Sequence, residues 1–115
     1  MAELTREQFL AAAGCPKVHP VTVPGMGEVF LRAMSGTERD AYEQSMFGED
    51  KPNLIGARAR LLVRCLCDKQ GKRWFGDEQE HEVGNLDSTA LEPLFVEAQR
   101  LNKLTAKDLQ ELLGN

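Results

Sequence analysis

Two changes in apolar spacing, at residues 18 and 35, constrain the fold of this chain more than any other feature. Between them apolar and polar residues alternate on both sides of the sequence PGMG, as in strands, with apolar positions at Val21, Val23, Val29, Leu31 and Ala33. Pro24-Gly25 suits the centre of a type II turn, so the stretch predicts a β-hairpin. Pro20 and Pro24 cannot donate hydrogen bonds, which places the first strand at a sheet edge.

Helical spacing and helix-start signals flank the hairpin. Thr5 and Ser35 each stand three residues before a glutamine or a glutamate, which is the spacing of a capping box. This pattern predicts helices over residues 5–13 and from near Gly36 to the residue before the glycine at position 48. The sequence GEDKPN, which begins at that glycine, is expected to form an exposed loop.

Two longer helices are expected in the second half of the chain. Asn53 is suited to cap a central core helix that ends in the sequence DKQG, with an apolar face formed by Leu54, Leu61, Leu62, Cys65 and Leu66. An extended crossing at KRWF is then expected to bury Trp74 or Phe75. The sequence DSTALEPLFVEAQRLNKL predicts a last amphipathic helix, kinked or delayed by Pro93, and a short helical turn follows over residues 105–114.

These elements predict one domain over residues 1–115 with an α+β, predominantly helical fold. The N-terminal β-hairpin is expected to pack on a small bundle of about four helices. An apolar content of 42% is enough to build one core, and a length of 115 residues is too short for two domains. No apolar run long enough to span a membrane and no secretion signal are recognised. Three cysteines, an odd number, suit a reducing cytoplasm.

The segment CDKQGKRWFGDEQE, residues 67–80, contains most of the side chains that could carry chemistry. A calcium-binding loop starting at Asp68 would have Arg73 in place of the required glycine and Gln79 in place of the final glutamate. We therefore interpret the segment as a helix-ending turn and a connector. The clustered carboxylates Asp77, Glu78, Glu80 and Glu82 could be acid/base groups, but we interpret them as a solvated charge run.

Metal and catalytic chemistry are also weakly indicated. Cys65, Cys67 and His81 lack the usual spacing of zinc ligands, because side chains two residues apart on a helix point about 200° away from each other. Packed thiols are favoured, with only Cys65 on the apolar face. An enzyme would need His19 or His81 to meet a cysteine or carboxylate in a pocket. We expect no enzyme, no cofactor and no catalytic or metal-binding residue.

A basic stretch offers an alternative function. In GARARLLVR, Arg60 and Arg64 share a helix face with Arg58 nearby, and could meet the phosphates of a nucleic acid. They could equally pair with carboxylates on neighbouring elements, an interpretation that the net charge of −4 favours. A small helical nucleic-acid-binding regulator is kept as the alternative.

Accessible apolar side chains indicate a third kind of function, the recognition of another protein. Met26, Met34, Met46 and Phe47 stand at the predicted hairpin turn, at a strand end and at a helix end. Methionine adapts to varied partners because its side chain is unbranched and polarizable. The same residues could instead complete a small core.

Three stretches follow one another in an informative order. They are VTVPGMGEVFLRAMSGTERDAYE, ARARLLVRCLCDKQGKRWFGD and LEPLFVEAQRLNKL. This order, over about residues 18–104, resembles the tail assembly chaperones of long-tailed (siphovirus-type) bacteriophages. The positions that match are Val29, Arg32, Ser35, Glu38, Asp68, Gly71, Phe75, Leu101 and Asn102. The Cys-x-Cys pair and Pro93 depart from the pattern.

The resemblance implies a non-enzymatic chaperone that binds the phage tape measure protein, keeps its long hydrophobic helices soluble and helps recruit tail tube subunits. It implies action in the host cytoplasm during assembly and absence from the mature virion. Many members of the family are made in two forms, the longer by ribosomal frameshifting. This chain, ending ELLGN, would correspond to the short form.

Such a role needs an apolar groove for a partner helix, which amphipathic helices around a small core can provide. An acidic exterior would limit aggregation of the complex. We assign partner contact to five residues: Met34, Met46, Phe47, Leu94 and Leu101. The expected partners are the tape measure protein and the tail tube protein, with self-association left open; no membrane is expected and nucleic acid is disfavoured.

Overall fold

The computed structural model describes residues 2–47 and 53–104. In chain order its elements are α1 (Arg6–Gly14), β1 (Val18–Val23), β2 (Gly27–Arg32), α2 (Gly36–Ser45), α3 (Ala57–Cys65), β3 (Leu66–Cys67), α4 (Glu80–Gly84) and α5 (Ser88–Leu101). A 3₁₀ turn over Asp77–Gln79 precedes α4. The predicted α+β, predominantly helical fold is confirmed. The helical turn expected over residues 105–114 and most of the GEDKPN loop lie outside the described residues.

The three strands form an antiparallel sheet in the order β1-β2-β3. The predicted hairpin is confirmed, with Val23 paired to Gly27 and the Met26 amide donating to the Val23 carbonyl at 3.0 Å. Gly25 has a φ of 77°, and the third position of a type II turn requires such a positive value. The sheet order leaves β1 at an edge, as the prolines predicted.

Both predicted capping boxes are present. The Thr5 hydroxyl accepts from the Gln8 amide at 3.1 Å, and the Gln8 side chain accepts from the Thr5 amide at 2.9 Å. Ser35 and Glu38 exchange the equivalent bonds at 3.2 and 2.8 Å. Since these bonds satisfy amides that have no partner within a helix, they fix where α1 and α2 begin.

The central helix starts later than predicted. α3 begins after Gly56, whose left-handed conformation (φ 74°) cannot belong to a right-handed helix. The Arg60 guanidinium donates to the carbonyls of Asn53 at 2.7 Å and Ile55 at 2.6 Å, which fixes these residues as a turn. Leu54, expected on the apolar face, is 50% exposed as a result.

The central helix also ends earlier than predicted. Leu66 and Cys67 leave α3 and pair with Leu31 and Phe30 of β2, forming a third strand that the sequence did not predict. Cys67 is therefore as fully buried as Cys65, so the expectation that only Cys65 joins the core was wrong. A continuous apolar run such as LLVRCLC has the same appearance in a buried strand as in a helix.

The core is built around α3, in which every residue from Ala59 to Cys65 is buried. The sheet, α2, α4 and α5 pack onto it with the buried residues Val23, Leu31, Tyr42, Met46, Val83, Leu91, Leu94 and Ala98. Of the two aromatic residues in KRWF, Phe75 packs against this core and Trp74 remains half-exposed. α1 contributes no buried residue.

The last described helix, α5, contains Pro93 within it, so the proline does not delay its start as one alternative predicted. Beyond the helix the Lys103 amide donates to the Arg100 carbonyl at 3.1 Å, and the Leu104 amide donates to the Gln99 carbonyl at 2.8 Å. This pair of bonds forms a Schellman motif. Lys103 occupies its left-handed position (φ 55°), where glycine is usual.

Asn102, which is buried, joins the end of α5 to the rest of the fold. Its side-chain oxygen accepts from the Met34 amide at 2.7 Å. Its side-chain nitrogen donates to the Ala98 carbonyl at 2.8 Å and lies 3.4 Å from the Cys65 sulfur. Its backbone carbonyl accepts from Arg39 at 2.7 Å. The residue thereby links α5 to α2, to α3 and to the segment that follows β2.

Six charged residues form a continuous series of ion pairs, which we call the arginine–carboxylate chain. In order, the contacts are Arg32 to Glu38 at 2.5 Å, Glu38 to Arg73 at 3.3 Å, Arg73 to Asp77 at 2.6 Å, Asp77 to Arg64 at 3.4 Å and Arg64 to Glu80 at 3.3 Å. The side chain of Arg64 is only 4% exposed, and a charge buried to that degree needs partners. Asp77 and Glu80 remain 51% and 36% exposed, as the interpretation of a solvated charge run expects, and in addition they pair with the buried Arg64.

The environment of two carboxylates in this chain favours their charged form. The hydrogen bond from Arg73, with the charge of nearby Arg64, holds the pKa of Asp77 below its usual value. Burial acts to raise the pKa of Glu38, but the Ser35 amide and the guanidinium groups of Arg32 and Arg73 outweigh it, and the pKa is lowered. Both groups therefore stabilise the fold in their ionised state.

We predict that Glu38→Gln lowers the free energy of unfolding at pH 7 by roughly 2 kcal/mol, because the charge that accepts from two guanidinium groups is removed. Glutamine can still complete the capping box. Because the folded-state pKa of Glu38 is lowered, its stabilisation is fully present above the unfolded-state value of about 4.3 and is lost as the pH falls through the folded-state value. Urea unfolding at a series of pH values should therefore show a weaker acid dependence in the variant.

The matched control for this experiment is Glu92→Gln. Glu92 pairs with Arg58, but both side chains are about half-exposed, so the loss should be below about 0.5 kcal/mol. Identical acid dependence in Glu38→Gln and in the unsubstituted protein would contradict the prediction.

We predict that Lys103→Gly raises the free energy of unfolding by roughly 0.5–1 kcal/mol, because glycine adopts the left-handed conformation without the steric cost that a β-carbon brings. Lys103→Ala is the control, since alanine keeps the β-carbon and should leave stability nearly unchanged. Thermal unfolding of the three proteins measures the difference. Equal stability of the glycine and alanine variants would count against the prediction.

Candidate functional site

The structure separates the five residues predicted to contact a partner. Met46 and Leu94 are 3% and 6% exposed and belong to the core. Met34 and Leu101 are partly buried, and together they line a cavity of about 320 Å³ beside the end of α1. Phe47 is 51% exposed and does not line that cavity. The structure therefore brings Met34 and Leu101 together and leaves Phe47 as the one clearly accessible member of the set.

The arginines of the nucleic-acid alternative are engaged within the protein. Arg60 is 5% exposed and donates to the backbone carbonyls of Ser45, Asn53 and Ile55. Arg64, also buried, belongs to the arginine–carboxylate chain. Arg58 is bound to Glu92 at 2.6 Å and lies over the ring of Phe95, 5.4 Å from its centroid. They bind protein groups, so this helix does not present the basic face that phosphate binding would need.

The candidate metal-binding and catalytic residues lie in a turn, a strand and a helix. Asp68 accepts from the Gln70 and Lys72 amides at 2.8 and 3.0 Å, which closes the turn in which Gly71 is left-handed. His19 lies in β1 and His81 in α4. Over residues 2–47 and 53–104, no three histidine, cysteine, aspartate or glutamate side chains are grouped so as to hold a metal ion.

The two core cysteines differ from the third in their environment. Burial raises the pKa of the Cys65 thiol to about 12, despite the hydrogen bond from Asn102. Burial also raises the pKa of the Cys67 thiol. Cys15, which follows α1, is exposed. Because the thiolate is the reactive form of cysteine, only Cys15 is accessible to chemistry in the folded protein.

Exposed apolar side chains are grouped at three places in the described part of the chain, apart from Trp74 and Val96. The first is α1 with the residues before it, which we call the N-terminal arm, where Leu4, Phe9 and Leu10 are exposed. The second is the turn that Arg60 holds, where Leu54 and Ile55 are exposed next to Phe47, because the Asn53 amide donates to the Met46 carbonyl at 2.7 Å. The third lies between the hairpin turn and α5. None of the described helices has the length and apolar character needed to cross a membrane.

The third place is a groove of about 590 Å³, which we call the hairpin groove. Its lining residues are Val23, Pro24, Met26, Leu86, Asp87, Thr89, Ala90 and Pro93. Met26 is 76% exposed and Leu86 52% exposed, while Val23 is buried. The sequence indicates that Met26 could be accessible, because it stands at the hairpin turn. Leu86 lies between polar residues, and no periodic pattern indicates its position.

The polar side chains of the hairpin groove are those of Asp87 and Thr89. Asp87 caps α5, and one oxygen of its carboxylate accepts from the Thr89 amide at 2.9 Å and the Thr89 hydroxyl at 2.7 Å. These bonds hold the pKa of Asp87 below its usual value. Pro93 has no amide hydrogen, so it cannot donate the helical bond that the Thr89 carbonyl would otherwise receive.

Comparisons with known proteins bear on the fold. No protein-family model and no curated protein matches this chain. Among solved structures, that of the bacteriophage HK97 tail assembly chaperone matches with a TM-score of 0.60 and 21% sequence identity, covering 80% of this chain and 88% of that chain. The two proteins share a fold. The matching structure is that of a tail assembly chaperone, which is the class of protein that the three ordered sequence stretches resemble.

We predict that a thiol reagent labels Cys15 quickly in the folded protein and labels Cys65 and Cys67 only after unfolding, because their thiols are buried. Mass spectrometry of the labelled protein, with and without guanidinium chloride, counts the modified residues. The variant Cys15→Ser is the control and should take up no fast label. Fast labelling of that variant would show that Cys65 or Cys67 is accessible, which would contradict their burial in the folded protein.

Proposed function

We propose that this chain is a bacteriophage tail assembly chaperone that binds the tape measure protein and helps recruit tail tube subunits while the tail is built. The observation that carries the proposal is the fold shared with the HK97 tail assembly chaperone over 80% of the chain. The sequence resemblance, which rests on the order of three stretches, points to the same class of chaperone and does not depend on the structure.

The distribution of apolar surface supports a binding role. Many large apolar side chains stay half-exposed or more, including Phe9, Met26, Phe47, Ile55 and Leu86. Side chains of this kind can cover the hydrophobic face of a partner helix. The net charge of −4 gives the complex an acidic exterior that opposes aggregation.

The chemistry proposed is non-covalent. The chaperone acts in the host cytoplasm during assembly, contributes no catalytic step and leaves before the virion is mature. Its substrate is a long, apolar helical chain that would otherwise aggregate, so a modest affinity distributed over several contact points suits the task, because the partner must be released to the tail tube.

Among the residues predicted to contact the partner, we propose Phe47 for direct contact. Met34 and Leu101 contribute through the cavity that they share. For Met46 and Leu94 the proposed contribution is indirect, because these side chains are core residues that hold the contact surfaces in place.

We predict that Phe47→Ser weakens capture of the tape measure protein by about tenfold, because a phenylalanine that becomes buried in the complex contributes roughly 1.5–3 kcal/mol when fully buried, and Phe47 is already half-buried in the free protein. The measurement is co-purification from cells that express both proteins, followed by titration of the purified partners. Circular dichroism should show that the variant remains folded.

The matched control is Trp74→Ser, since Trp74 is 50% exposed and Phe47 is 51% exposed. It should leave capture unchanged. No capture by the unsubstituted protein would overturn the proposed function, whereas equal capture by both variants would remove only the role of Phe47.

A further inference from the structure

We infer that the hairpin groove holds an apolar side chain of the partner together with a neighbouring lysine or arginine of the same partner segment. This inference rests on the proposed function and names the chemistry that one of its surfaces recognises. The partner segment is therefore apolar and basic, as opposed to apolar and neutral or acidic.

The apolar half of the inference follows from the walls of the groove. Val23 forms a buried floor, and Met26 and Leu86 stand at the sides with more than half of their surfaces in water. A volume of about 590 Å³ accommodates a large aliphatic or aromatic side chain and part of the backbone that carries it. Covering Met26 and Leu86 removes apolar surface from water, which favours association.

The basic half of the inference follows from the polar groups. Asp87 uses one carboxylate oxygen for the two bonds from Thr89, and within the described ranges no lysine or arginine pairs with it. The other carboxylate oxygen of Asp87 has no partner within those ranges, and an occupant that supplies donors and a positive charge complements it at the edge of the groove.

The overall charge supports the same occupant. The chain carries 18 acidic and 14 basic residues, and five of the arginines are bound in ion pairs or bonds to carbonyls within α3 and around it. The acidic excess attracts a basic segment and repels an acidic one. A neutral apolar segment would gain nothing from the Asp87 carboxylate.

The experiment measures binding of fluorescein-labelled helical peptides of leucine and alanine by fluorescence anisotropy. Three versions carry lysine, serine or glutamate at the same polar positions. The full chain should bind the lysine peptide most tightly and the glutamate peptide least. Asp87→Asn keeps the helix cap. It should weaken the binding of the lysine peptide by about threefold at low salt and leave the binding of the serine peptide unchanged. Equal binding of the lysine and glutamate peptides would overturn the inference.

A second pair of variants tests the apolar walls. Leu86→Ser should weaken binding of the lysine peptide by about tenfold. Val96→Ser is the matched control, because Val96 is 54% exposed and Leu86 is 52% exposed, and Val96 does not line the groove, so the variant should bind as the unsubstituted protein does. Equal effects of the two substitutions would show that peptide binding does not use the groove, and the inference would fall.

If Leu86→Ser instead turns a dimer into a monomer without changing peptide binding, the groove holds a second copy of the chain and the inference is wrong.

The same variants in the tape measure capture assay distinguish the two proposals. If the unsubstituted protein and Leu86→Ser capture the tape measure protein equally well, the proposed function stands and the inference about the groove is overturned. Absence of capture, combined with peptide binding that follows the variants as expected, would overturn the proposed function and support the groove as a site for basic apolar segments.

Discussion

The guanidinium group of Arg73 holds together parts of the chain that are far apart in sequence. It donates to the Val63 carbonyl near the end of α3, at 3.1 and 2.9 Å, and pairs with Glu38 of α2 and Asp77 of the 3₁₀ turn. Through Glu38 and Asp77 it connects to Arg32 and Arg64, so the sheet, the central helix and the connector share one series of charges. Phe75 packs the connector against the core, and these polar contacts add to that packing in fixing its path.

Local signals explain why much of the fold was predictable. The hairpin follows from alternation around Pro24-Gly25, and the starts of α1 and α2 follow from capping boxes in which both partners lie within four residues. Such features depend on hydrogen bonds between near neighbours, which a sequence displays directly. The boundaries of α3 depend on distant groups instead. Its start is fixed by the bonds of Arg60 to the preceding turn, and its end by the pairing of Leu66 with Leu31, which lies 35 residues earlier.

The candidate site was less predictable for the same reason. Apolar residues look alike in sequence whether they fill a core or face a partner, and Met46 and Phe47 are neighbours with opposite exposures. The arginines in GARARLLVR show the equivalent ambiguity for charge, because only tertiary partners decide between internal pairing and phosphate binding. The hairpin groove combines residues from positions 23–26 and 86–93, and no local pattern indicates that these two segments meet.

The N-terminal arm has a separate consequence. Because α1 buries no side chain, the arm's amino acids are not tied to the packing that governs the remainder of the molecule. Natural selection can therefore alter Leu4, Phe9 and Leu10 to follow changes in whatever they touch, without first having to preserve a folded core. An appendage of this kind can acquire new contacts while the remainder of the molecule keeps its fold.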